Sequence, residues 1–309
     1  MSIIGLRIDR MTTKKKTHEL LVGAHMSIAG GFYKSVERSE AVGGTCMQIF
    51  TKSNKQWAAK KIAKEDADTF KKRLKESSVS AVVAHASYLI NIGSANSALR
   101  KKSLHALREE LERCDILGIP ALILHPGSAT GGTAEECMKL IAEAVDEVFE
   151  QFEGKTMLLL ENTAGQGSAV GTTLEQLAKI YKDIHDKKHI GFCIDTCHAF
   201  VAGYDLRMPR TYETFWKQFD ELLGIEKLKA IHCNDSKKDL GSNVDRHEDI
   251  GKGKLGRQSF ELLMNDERFF DVPKVCETPK GDDEQANDLR NIAALKDLLT
   301  TAAKKKLHI

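Results

Sequence analysis

Nine side chains spread along the chain could together hold metal ions: His85, His125, Glu161, Asp195, His198, His232, Asp245, His247 and Glu277. Five are imidazoles and four are carboxylates, with no sulfur among them. Nitrogen and carboxylate donors suit catalytic zinc, and manganese is also compatible. Nine donors exceed what one or two tetrahedral ions need and suit three, with one carboxylate bridging a pair. Clustered metals stabilise the attacking and leaving oxygens of an in-line phosphoryl displacement. Local spacing supports the grouping. His198 lies three residues beyond Asp195, and Asp245 and His247 stand at i and i+2, on one side of an extended segment. Arg246 between them points the other way, where a phosphate contact is expected.

Six of these residues share one position in the pattern, the polar end of a short apolar run. Eight such runs occur: LLVGAH ending at His25, GGTCMQ at Gln48, SAVVAH at His85, ALILH at His125, MLLLE at Glu161, IGFCID at Asp195, LKAIH at His232 and VPKVCE at Glu277. The intervals are 23, 37, 40, 36, 34, 37 and 45 residues. A strand, a crossover helix and two loops need about 30 residues. The pattern therefore predicts a (β/α)8 TIM barrel, an α/β fold whose strand ends converge on one C-terminal face. A lone histidine at a strand end is usually solvated, but six ionisable residues at one topological position would be costly without compensation. His25 and Gln48 are expected to hydrogen-bond to the ligands rather than to be ligands. His18, His105, His185, His189 and His308 lack this placement and read as surface or helix residues.

The segments between the runs read as helices. In 97–118 the apolar residues fall near helical spacing and Gly118 is a stop signal. Thr133 with Glu136, and Thr173 with Gln176, have capping-box spacing. Segments 211–224 and 287–306 complete the set. The longer connections after strands 2, 3, 4, 5 and 7 would line the catalytic face, and are rich in Gly, Asn, Ser and Lys.

The 309 residues carry 46 basic and 44 acidic groups, so global charge neither demands nor excludes a nucleic acid. No apolar stretch approaches the roughly 18 residues of a membrane helix. The first 19 residues read as a polar extension without a secretory signal, and residues 20–309 as one barrel domain. The seven cysteines, an odd number, read as reduced and buried, which places the chain in a reducing compartment. The expected location is the cytoplasm, on the nucleoid if the source is bacterial.

The segments GAHMSIAGG, QIFTKSNKQW, HASYLINIGS, LHPGS, LLLENTAGQG, IGFCIDTCHAFVAGYDL, NDSK with GSNVDRHEDIGKGKLG, and ETP resemble the endonuclease IV family of abasic-site endonucleases. The resemblance runs in register from about residue 20 to about residue 300. It implies three zinc ions, with manganese compatible at one site. His85, His125 and Glu161 would hold the first ion. Glu161, Asp195, His232 and Glu277 would hold the second, and His198, Asp245 and His247 the third. Glu161 is the residue assigned a catalytic role, through bridging or through orienting the nucleophile. The implied reaction is hydrolysis of the phosphodiester 5′ to an abasic site, leaving a 3′-hydroxyl and a 5′-deoxyribose phosphate, together with trimming of blocked 3′ ends in base excision repair. The implied partner is duplex DNA carrying such lesions. No membrane partner is expected, and the chain is expected to act as a monomer.

The resemblance also points to DNA contacts. Tyr88 and Leu89 match a wedge that enters the base stack at the lesion, where unstacking costs least because a base is already missing. Lys55 stands where some members carry Arg, keeping the charge without the planar guanidinium. Ala86 replaces an acidic residue that some members carry, which leaves His85 without that local partner. Two other classes fit parts of the pattern. Sugar isomerases and epimerases use related barrels with one or two metals, and His198, Asp245 and His247 argue against that reading. A DNA-binding protein with structural zinc would favour a closed, thiolate-rich site.

Overall fold

Eight strands close into one parallel barrel: β1 (Val22–His25), β2 (Cys46–Phe50), β3 (Ala81–His85), β4 (Ala121–Leu124), β5 (Met157–Glu161), β6 (Ile190–Asp195), β7 (Leu228–His232) and β8 (Lys274–Cys276). A computed structural model describes residues 18–309. The strands follow one another around the barrel, and β8 returns to β1 with Val22 opposite Lys274. Such strands are covered on both faces, which is why they read as apolar runs rather than as alternating ones.

Among the described residues, ten α-helices connect or follow them: α1 (Phe32–Ala41), α2 (Lys64–Lys75), α3 (Ser97–Leu117), α4 (Ala134–Gln151), α5 (Leu174–Asp183), α6 (Thr196–Val201), α7 (Pro209–Leu223), α8 (Gly256–Met264), α9 (Glu284–Lys296) and α10 (Thr301–Leu307). The start and stop signals behave as their chemistry requires. Asn96 accepts hydrogen bonds from the Ala98 and Leu99 amides at the start of α3, and Gly118 ends it at φ 72°. Thr133 and Glu136 form the full capping box of α4. At α5 half the box forms. Thr173 accepts from the Gln176 amide, but the Gln176 side chain accepts instead from the Gly171 and Thr172 amides, both 2.9 Å away.

Other boundaries differ from the sequence reading. β2 runs past Gln48 to Phe50, while His125 and Glu277 stand one residue beyond β4 and β8. The single helix expected over 287–306 is two, because Thr300 caps a new helix by accepting from the Ala303 amide. All seven cysteines are free and buried. The expected extension over 1–19 lies outside the described residues except for His18 and Glu19, and these bond to the Asp271 carboxylate at 3.0 and 3.1 Å. No helix among the described residues is long and apolar enough to cross a membrane.

Successive residues of each strand alternate between the barrel interior and the surrounding helices. Cys46, Val83, Ile123, Leu159, Cys193, Ala230 and Val275 pack together inside as an apolar layer. One pleat further along their strands come Gln48, His85, His125, Glu161, Asp195, His232 and Glu277. The interior layer is tight at Gly23, where an added Cβ would lie 1.7 Å from the Cys46 carbonyl oxygen. Gly23→Ala must therefore push β1 from β2. Its unfolding free energy is expected to fall by about 3 kcal/mol in chemical denaturation. A wild-type midpoint would show that the two strands do not approach this closely.

Candidate metal centre

Above the apolar layer, Glu161 is the common neighbour. Its carboxylate faces His232 Nδ1 at 2.9 Å, His85 Nε2 and His125 Nε2 at 3.2 Å, and His198 Nδ1 at 3.4 Å. Three donor groups gather around it, each with its donor atoms within 4.8 Å of one another. They are His85, His125 and Glu161; Glu161, Asp195, His232 and Glu277; and His198, Asp245 and His247. Two further groupings bring in Cys193 and Cys197, but burial pushes both thiols up to about 12, so both are neutral near pH 7. Oxygen and nitrogen are then the donors.

The protonation of the rings is set from behind. His85 Nδ1 donates to the Ala86 carbonyl at 2.7 Å and His198 Nδ1 to the Asn162 carbonyl at 3.0 Å. His232 Nε2 donates to Gln48 Oε1 at 2.7 Å, and His247 Nδ1 to the Glu277 carbonyl at 3.0 Å. A carbonyl oxygen can only accept, so each of these nitrogens carries the hydrogen. In the neutral ring the other nitrogen then turns a lone pair toward a carboxylate. His198 Nε2 and His247 Nε2 point at Asp245 from 3.2 and 3.1 Å, and His232 Nδ1 lies 3.2 Å from Glu277. His247 Nε2 is buried and has no hydrogen-bond partner among the described residues. Lone pair facing lone pair at this distance repels unless positive charge lies between them, as a proton on the ring or as a cation. Backbone carbonyls that orient imidazoles in this way are the usual support of metal-binding histidines. The residues therefore fit a cluster of divalent cations.

Without a cation the charge must come from protons. Burial works against charging His198 and His247, but Asp195 and Asp245 outweigh it, raising His198 well above its usual range and His247 to about 9. Burial also works against ionising Glu161 and Glu277. The surrounding histidines, His232 first, hold Glu161 well below its ordinary value and Glu277 at about 2. His25 behaves differently, since burial pushes it down to about 3 and it stays neutral. Its Nδ1 lies 2.9 Å from Gln48 Nε2, which also donates to Glu277 at 2.6 Å. His25 and Gln48 thus take the hydrogen-bonding role expected of them.

Two supporting residues were assigned no role in the sequence reading. Asn234 donates to Asp195 Oδ2 at 2.6 Å and accepts from the Glu277 amide at 2.7 Å. Asn162 accepts from the Asp195 amide at 2.7 Å, and its main-chain oxygen receives His198. Their clues were position, one and two residues past Glu161 and His232, and their place within the LLLENTAGQG and NDSK segments. The missing acidic residue at Ala86 does not leave His85 unsupported, because the Ala86 main-chain carbonyl takes that role.

Asp245 and His247 ride on a loop, and the loop is tied down. Asp235–Ser236 and His247–Glu248 form an antiparallel ribbon. The Gly241 and Asn243 amides donate to the Phe200 and Val201 carbonyls of α6 at 3.2 and 2.9 Å, and Gln166 accepts from the Asp245 amide at 3.2 Å. Of the residues expected at DNA, Tyr88 is 58% exposed with its ring centroid 5.2 Å from that of His85, and Leu89 beside it is half-buried. Lys55 and Arg246 are exposed, and Arg246 Nη1 donates to the Asp245 carbonyl at 2.6 Å.

In the metal-free protein, His247 charges more readily folded than unfolded. Its stabilising contribution is complete below about 6.5 and fades as pH rises through about 9. The Tm of chelator-treated protein is expected to fall between those pH values, and His247→Asn to flatten the decline. An identical slope in both proteins would contradict the arrangement around this ring.

A family model described as a xylose isomerase-like TIM barrel matches residues 36–298. Probable endonuclease 4 of Chloroflexus aurantiacus is 47% identical over 281 residues, spanning 91% of this chain and 98% of the relative. The protein of that name from Geobacter sulfurreducens is 42% identical, spanning 92% and 96%. The crystal structure of endonuclease IV from Thermus thermophilus superposes with a TM-score of 0.79 at 34% identity, covering 90% of this chain and all of that one. A D-tagatose 3-epimerase-like protein shares the fold at 20% identity and a TM-score of 0.66, covering 93% and 98%. This chain belongs to the endonuclease IV family.

Proposed function

We propose that this chain is a zinc-dependent DNA-repair endonuclease that hydrolyses the phosphodiester 5′ to abasic sites in duplex DNA, leaving a 3′-hydroxyl and a 5′-deoxyribose phosphate. It also trims blocked 3′ ends in base excision repair. The chain acts as a monomer in the cytoplasm, through one catalytic domain spanning residues 20–309. The observation that carries this reading is the third donor group. His198, Asp245 and His247 stand beside the two groups that share Glu161, giving more donors than a one- or two-metal sugar isomerase uses.

In this reading His85, His125 and Glu161 hold the first ion, Glu161, Asp195, His232 and Glu277 the second, and His198, Asp245 and His247 the third. Zinc held there would supply a hydroxide nucleophile at neutral pH and Lewis-acid stabilisation of phosphoryl oxygens. The protein keeps the donors oriented: Gln48, Asn162 and Asn234 and the Ala86 and Glu277 carbonyls fix the rings and carboxylates before substrate arrives. Tyr88 and Leu89 fill the gap in the stack left by the missing base. Lys55 and Arg246 meet backbone phosphates, which sets register without reading sequence.

The direct test uses a duplex with one tetrahydrofuran abasic analogue, which cannot undergo β-elimination, and counts bound metal in the same sample. Cleavage 5′ to the analogue with about three metals per chain is expected. No cleavage by fully metallated protein would return the sugar-isomerase alternative. Glu161→Gln, which disturbs two donor groups at once, is expected to lower turnover by at least about a hundredfold. Near-normal turnover in that variant would remove Glu161 from the centre of the reaction. Tyr88→Ala with Leu89→Ala should weaken binding to abasic duplex about tenfold more than binding to intact duplex. Equal losses on both would rule out the wedge.

A further inference from the structure

Beneath the two loops expected at DNA lies a buried polar cluster outside the metal centre. Lys52, in the loop after β2, is 6% exposed, and its ammonium lies 3.6 Å from the carboxylate of Glu110 on α3, which is 1% exposed. Lys52 also donates to the Trp57 carbonyl at 2.8 Å, across its own loop. Glu110 accepts from the amide of Ser87, in the loop after β3, at 3.2 Å. The Ser87 hydroxyl then crosses back and donates to the Asn54 carbonyl at 2.8 Å. The residue after Asn54 is Lys55 and the residue after Ser87 is Tyr88. Lys55 and Tyr88 thus each stand one position from the bond that joins the loops.

A buried ion pair adds little stability over apolar residues of the same size, because desolvating both charges offsets their attraction. What the Lys52–Glu110 pair does supply is direction: one carboxylate on a rigid helix fixes both loops at once. Arg113, one turn further along α3, holds the loop after β2 a second time by donating to the Lys60 carbonyl at 2.7 Å and to the Thr51 carbonyl.

We infer that Lys52, Glu110 and Ser87 are positioning residues that couple the loops after β2 and β3, so that Lys55 and Tyr88 meet the lesion as one preset surface. The inference rests on the reading proposed above. Ordering two flexible loops separately on binding would weaken association, and the shared anchor removes that loss.

The experiment compares wild type, Lys52→Met with Glu110→Gln, and Ser87→Ala on the tetrahydrofuran duplex, with bound metal and Tm measured for each. Glu110→Gln keeps an acceptor for the Ser87 amide, and Ser87→Ala deletes a single hydroxyl, so folding is preserved in at least the latter. Metal content and Tm are expected to match wild type. KM should rise roughly tenfold while kcat stays within about threefold, the signature of lost binding rather than lost chemistry. A double-mutant cycle of Lys55→Ala and Tyr88→Ala on duplex binding should show coupling in the wild-type background and additivity in the Ser87→Ala background. Wild-type KM in Ser87→Ala, or additivity already in the wild-type background, overturns the inference. Failure of wild type itself to cut the duplex overturns the proposed function instead.

Discussion

Three carboxylates, Glu161, Asp195 and Glu277, meet with His232 inside 4.8 Å at the mouth of the barrel, and Glu161 and Asp195 are wholly buried. Like charges that close and that dry cannot stay ionised together without positive charge among them. Most of the surrounding structure answers that constraint. Imidazoles converge on Glu161 from β3, from β7, from the end of β4 and from α6. Those of His85, His198 and His232 are each turned by a carbonyl behind the ring. The asparagines hold Asp195 and the Glu277 main chain in place from the sides. Such a centre has two states. It gathers protons without a cation, and an entering cation would displace them, which would link metal affinity to pH.

The parts legible in the sequence were those in which chemistry and topology coincide. A parallel strand must be apolar along its length, and a barrel brings the strand ends together, so a polar residue closing each run marks both the fold and the site. His85, Glu161, Asp195 and His232 were readable for that reason, and Asp245 with His247 from their i, i+2 spacing. The supports behind them were far less readable. The rings of His85, His198 and His247 are turned by the main-chain carbonyls of Ala86, Asn162 and Glu277. Side-chain identity is irrelevant to such a bond, and a main-chain acceptor leaves no mark in composition or spacing. Asn162 and Asn234 look like ordinary loop residues until their partners are known. Local competition explains the smaller misses. Gln176 had two loop amides within reach and left its own cap, and Thr300 offered a new N-cap inside a segment whose apolar spacing continues.

The same barrel is shared with an epimerase-like protein at 20% identity, so the fold by itself does not select phosphodiester over sugar chemistry. The difference must lie in what is added at the strand ends. Two donor groups here come mainly from the strands and are fixed by barrel pairing, such as Asp195 opposite His232. The third depends on α6 and on a loop after β7, which can vary without disturbing the barrel. Such a loop would ordinarily be too loose to place a ligand, since a site must hold its donors to within a fraction of an ångström. This loop is held by a two-residue ribbon, by carbonyls of α6, by Gln166, and by the Asp235 carboxylate, which accepts from the Gly253 and Leu255 amides at 2.9 and 3.0 Å. Asp235 thus acts as an internal anchor, doing for the loop what a strand does for Glu161. The loops after β2 and β3 are treated alike, with Glu110 and Arg113 beneath them. A chain that anchors three separate loops of one face with buried charged side chains has made that face rigid before any partner arrives. Rigidity of that kind suits a substrate that must itself bend and open, because the deformation then falls on the partner; on the function proposed above, a missing base is where that deformation would cost least.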